Sequence, residues 1–134
     1  MAIRSFKDLE IYQNTYKAAI VIMTKIIPKL PQTEKFDLAD QLSRSCKAIP
    51  RLIAEGYAKR HQKAGFQKYL DDALAESNET LVSLEQVKDI YGNLIDKNLC
   101  DELIKTYDKS SRQIYTLSKT WQDFKFKRSN FHVH

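Results

Sequence analysis

Three histidines, two cysteines and a short run of carboxylates are the groups of this 134-residue chain from which catalytic or metal chemistry could be built. His132 and His134 stand one residue apart, and two ligands fall short of the three or four that hold a metal ion. His61 stands alone. The chain has no H-x-x-x-H, C-x-x-C or D-x-D-x-D-G spacing, and no E-x-x-H pair of the di-iron bundles. Its three glycines, Gly56, Gly65 and Gly92, are isolated, so no glycine-rich loop can cradle a phosphate. Cys46 and Cys100 have no histidine nearby in sequence, and Cys46 falls on an apolar stripe, where a cysteine packs as a small hydrophobe. Asp71, Asp72, Glu76 and Glu79 are acids of the kind that stay solvated or ion-paired. The expectation is a protein that is not an enzyme, with no metal and no cofactor.

The remaining chemistry is that of cations. Lys and Arg number 22 against 17 Asp and Glu, a net charge of +5. That excess permits an anionic partner without requiring one. What it can do depends on the elements that carry it. With 43% hydrophobic and 29% charged residues the chain can build a globular core, and one domain over 1–134 fits its length. Only three glycines and three prolines occur. An all-β sandwich or barrel would need turn residues every 8–12 positions or so. No apolar run nears the roughly 18 residues of a membrane span. The N-terminus lacks the layout of a signal peptide, and the cysteine spacing fits no disulfide framework. Both features lead to a cytoplasmic protein with free thiols and no membrane partner.

Prolines and glycines cut the chain into four pieces with apolar residues at helical steps of 3 and 4. Helices are expected over about 6–27, 33–60, 63–91 and 98–124, with the tail 125–134 poorly ordered. The expected seams are Leu9, Tyr12, Tyr16, Ala19, Met23 and Ile26; Ala39, Leu42, Cys46, Ile49 and Ile53; Phe66, Leu70, Ala73, Ser77, Leu81, Leu84 and Tyr91; and Leu103, Tyr107, Ser110, Ile114, Leu117, Trp121 and Phe124. Thr33 is placed before the second helix, and Asp96 or Asn98 can cap the fourth. Pro50 falls inside the second pattern and should kink that helix without ending it, since Ile53 continues the stripe. Short connections between long helices predict an all-α, antiparallel up-down-up-down four-helix bundle. In the first helix Ala18 to Met23 are apolar around the whole circumference, which favours a homo-oligomer that covers a second face.

The charge by segment is +3 over 1–32, +2 over 33–62, −4 over 63–96 and +4 over 97–134. An antiparallel pairing of the second and third helices would set Arg44 against Glu79, Lys47 against Glu76 and Arg51 against Asp72. That pairing would absorb the basic stripe as structural bridges. The same topology gathers the N-terminus, the second turn and the C-terminus at one end. There Arg4, Lys7 and Lys68 join Lys59, Arg60, Lys63, Lys125, Lys127 and Arg128. This last group of six is the candidate nucleic-acid-binding set, acting on RNA or DNA phosphates with little sequence readout. Tyr12, Tyr16, Tyr107, Tyr115 and Trp121 are expected mostly in the core. Phe126 and Phe131 lie among the terminal cations, where they could stack bases.

The runs Gln41-Leu42-Ser43-Arg44-Ser45 and Ala48-Ile49-Pro50-Arg51-Leu52-Ile53-Ala54-Glu55-Gly56-Tyr57 resemble the signature of the four-helix-bundle proteins encoded in bacterial 23S rRNA intervening sequences. Phe6, Asp8, Leu9, Tyr12 and Gln13 fit the same pattern, as do Pro31 and Glu34, then Phe66, Tyr69, Leu70, Ala73 and Glu79. The match spans roughly 6–91. Leu52 stands where the family usually has Asn, and Ala75-Glu76 where it usually has Gly-Ser. The resemblance implies a small all-α bundle that assembles into a homopentamer. It also implies kinship with the accessory proteins of diversity-generating retroelements, which bind nucleic acid and a reverse transcriptase. Two functions are expected: a non-catalytic nucleic-acid-binding bundle, or a protein–protein interaction scaffold whose basic charge is incidental.

Overall fold

The computed structural model describes the backbone of residues 2–132 and the side chains of residues 2–121. It is all-α, with four main helices and no strand among the described residues. A 3-10 turn, Phe6–Asp8, opens the chain. The Ser5 hydroxyl accepts from the Lys7 N–H at 3.1 Å, and the Asp8 carboxylate accepts from the Ser5 N–H at 3.1 Å, a capping box that fixes the chain entry. Helix α1 runs Glu10–Val21 and continues through a π-helical turn, Ile22–Ile26, and a 3-10 turn, Ile27–Lys29. A further 3-10 turn, Gln32–Glu34, precedes α2 at Leu38–Ala58. Helix α3 is Gly65–Tyr91, and α4 is Lys97–His132. The fourth helix passes the expected end at residue 124, so the segment expected to be a poorly ordered tail is helical through His132.

Contacts join α2 to α3, α3 to α4, α1 to α2 and α1 to α4. That pattern fits four helices around one core. The seams of α2 to α4 are largely those read from the sequence: Leu42, Cys46, Ile49, Ile53, Leu70, Ala73, Tyr107 and Ile114 are all fully buried. Helix α2 runs through the buried Pro50 without ending there. Helix α1 and the turns that follow it keep Ala19 and Ile26 of the expected seam buried, with Leu9, Tyr12 and Met23 packed against the core, but also bury Ile11, Thr15, Ala18 and Ile22, while Tyr16 faces outward. The polar residue among these is satisfied within its own helix, because the Thr15 hydroxyl donates to the Ile11 carbonyl at 2.6 Å. A hydroxyl bonded in this way can be buried without a partner on another helix. Of the aromatics expected mostly in the core, Tyr107 is fully buried, while Tyr115, outside the expected seam of α4, is exposed.

The second helix starts later than expected. Glu34 stays in the preceding turn, and its carboxylate accepts from the Leu38 N–H at 3.3 Å and from the Tyr91 hydroxyl. That links the entry of α2 to the end of α3. At α4, Asp96 caps as expected, accepting from the Leu99 N–H at 3.1 Å. Hydroxyl pairs cross the core: Thr80 donates to Ser45 at 2.8 Å, and Ser77 and Ser111 share a hydrogen bond of 2.7 Å. The expected bridges from α2 to α3 do not form. Arg44 pairs instead with Asp40 on its own helix at 3.2 Å. Lys47 and Arg51 make no ion pair among the described residues. The reason is rotational: α2 turns Ser45 toward α3, while Lys47 and Arg51 line a groove beside α1.

Candidate nucleic-acid interface

Two glycines shape the end of the bundle that carries Lys59, Arg60 and Lys63. A Cβ on Gly56 would lie 2.6 Å from the Tyr69 Cβ and 3.1 Å from Phe66 Cδ1. Gly56 therefore permits a close approach of α2 to α3. A Cβ on Gly65 would lie 2.3 Å from the Lys59 carbonyl oxygen. The turn folds back that tightly because the Gln62 N–H donates to the Lys59 carbonyl at 3.0 Å and the Gly65 N–H to the Gln62 carbonyl at 3.1 Å. Ala64 takes the left-handed conformation, φ 58°, beside it.

Aromatic rings hold the first two cations of this turn. The Arg60 guanidinium lies 4.1 Å from the centre of the Tyr57 ring, and its Nη1 donates to the Tyr57 carbonyl at 2.9 Å. The Lys59 ammonium lies 5.0 Å from the centre of the Tyr69 ring and donates to its hydroxyl at 2.8 Å. That hydrogen bond, with Glu55 nearby, raises the Lys59 pKa above the ordinary lysine value. Neither cation makes an ion pair among the described residues. Such positioning lowers the ordering cost of meeting a phosphate while leaving the charge in water. Lys63 is exposed on the same turn.

The rings continue into the bundle. Tyr57 meets Phe66 edge-on at 6.0 Å, and Phe66 meets Trp121 at 5.2 Å. Trp121 thus brings α4 to this end. Lys125, Lys127 and Arg128 lie on α4 within two turns beyond it, and their side chains, like those of Phe126 and Phe131, lie outside the described residues. In the sequence, Tyr57 and Tyr69 figure only in the family pattern, with no role at the turn. The spacing of Tyr57 and Arg60 was a usable signal, whereas Tyr69 meets Lys59 only through the fold of the turn.

Neither cysteine is set up as a nucleophile. Burial pushes the Cys46 and Cys100 thiols each up to about 11, so both stay protonated near neutral pH. No group of three His, Cys, Asp or Glu suited to a metal ion occurs among the described residues. No helix there is long and apolar enough to cross a membrane.

The model of the family described as 23S rRNA-intervening sequence protein matches residues 7–116. The chain belongs to that family. The matched region contains Gly56, the Lys59–Lys63 turn and the rings of Tyr57 and Tyr69, and ends before Lys125. No curated protein and no solved structure matches the chain.

Proposed function

We propose that this member of the 23S rRNA-intervening sequence family is a non-catalytic, oligomeric bundle that binds nucleic-acid backbone through its basic end. Its helices follow an antiparallel up-down-up-down course. The pairing of Ser45 with Thr80 and the approach of Gly56 to Tyr69 support this for α2 and α3. The observation that carries the binding reading is the pair Lys59 and Arg60, each held on a tyrosine ring and free of ion pairs among the described residues. Lys63, Lys125, Lys127 and Arg128 extend the set. The family description makes RNA the first backbone to test, with DNA beside it. The family resemblance supports a homopentamer in the bacterial cytoplasm. Repetition of the basic end around an assembly would raise its effective affinity.

The test is binding of nuclease-treated protein to labelled RNA and DNA across a salt series. Three phosphates per chain at the Lys59–Lys63 turn would give a log–log slope of about −2 to −3. K59E/R60E/K63E should weaken binding and flatten that slope while the helical circular dichroism signal stays. Unchanged affinity in a folded triple variant refutes the site. The second reading, a protein-interaction scaffold, draws support from the apolar groove between α1 and α2. It predicts a protein partner that survives nuclease treatment.

A further inference from the structure

The oligomer in the proposed function leaves open which faces meet. One candidate is the groove of about 360 Å³ between α1 and α2, lined by Tyr12, Tyr16, Ile20 and Pro50 and by the cations Lys47 and Arg51. Tyr16 is 50% and Ile20 49% exposed, each with apolar surface in water. A counterpart lies on the outer side of α3. Val82 and Ile90 are 50% and 61% exposed there, about two helical turns apart. The exposed acids Glu79, Glu85 and Asp89 stand beside them and make no ion pair among the described residues.

The charges select how these faces combine. Groove against groove would bring Lys47 and Arg51 toward their own copies. The α3 face against itself would bring acid toward acid. Groove against α3 face covers apolar surface on both sides and sets cations opposite carboxylates. Spacing agrees: Lys47 and Arg51 are one turn apart, as are Glu85 and Asp89. We infer that a second copy of this chain seats the Val82–Ile90 face of its α3 in the α1–α2 groove, in a head-to-tail joint. A heterologous joint of this kind generates a closed ring or an open filament and never a two-fold dimer. The inference rests on the self-association reading and adds its two surfaces and their polarity.

Light-scattering mass of the nuclease-treated full chain, after gel filtration, tests it. The wild type should run as a multiple of one chain. K47E/R51E and E85K/D89K, all at surface positions, should each fall to the mass of one chain with the helical signal kept. Ile20→Glu should do the same without reversing a cation. The fourfold variant K47E/R51E/E85K/D89K should regain the wild-type mass, because both halves of the joint are reversed together. If the wild type assembles and the double variants keep its mass, the joint is overturned while self-association stands. A fourfold variant that stays at one chain also overturns the pairing. A wild type of one chain's mass overturns both.

Discussion

Replacing Gly56 by alanine sets two effects of known sign against each other. In an exposed helix the change would stabilise by about 1 kcal/mol, since alanine is the better helix former. Here the new Cβ would lie 2.6 Å from the Tyr69 Cβ and 3.1 Å from Phe66 Cδ1. Carbon atoms rest at about 3.5–4.0 Å, so α2 and α3 must part by roughly 1 Å at this level. Tyr69 Cβ is joined to the α3 backbone and cannot escape by changing rotamer. Overpacking of this kind costs about 1–3 kcal/mol. The net expectation is a loss of up to about 2 kcal/mol, the propensity gain offset by the steric term. Urea unfolding followed by circular dichroism measures it. Ala75→Gly, at an exposed position of α3, calibrates propensity in this bundle and should lose about 1 kcal/mol. If Gly56→Ala is more stable than the wild type by a similar amount, the close approach does not govern that end of the bundle.

Two further outcomes follow from the core. Tyr107 is fully buried and its hydroxyl has no hydrogen-bond partner among the described residues. Tyr107→Phe should therefore raise unfolding stability by about 1 kcal/mol, and a clear loss in urea unfolding would refute the reading. Burial raises the Cys46 and Cys100 thiols from 9.0 to about 11. The unfolded chain then releases these protons first, so their contribution to stability is present below about pH 9 and is lost as pH rises toward 11. Removing both thiols in C46A/C100A should flatten that alkaline fall, and an unchanged slope would refute the assignment.

The residue order by itself determined the helical class and most of the core. The stripe Ala39, Leu42, Cys46, Ile49 and Ile53 is buried as its spacing requires, because apolar residues on one side of a helix leave one way to remove them from water. Helix α1 is different. Apolar around its circumference only from Ala18 to Met23, it offered more than one seam there, and packing in the bundle buried Ala19 and Ile26 as their spacing suggested and added Ile11, Thr15, Ala18 and Ile22. The cations at 59, 60 and 63 were legible from their place at a turn, but the rings that hold Lys59 and Arg60 were not. Tertiary structure alone decided the setting of α2 on α3. The charge pattern had suggested Arg44, Lys47 and Arg51 as bridges, yet exposed ion pairs are worth under about 1 kcal/mol each. Close approach at Gly56 and the buried Ser45–Thr80 hydrogen bond act where water is excluded, and there a misfit costs more than a surface charge returns. That is why Lys47 and Arg51 stand beside the groove of α1, free to meet another surface.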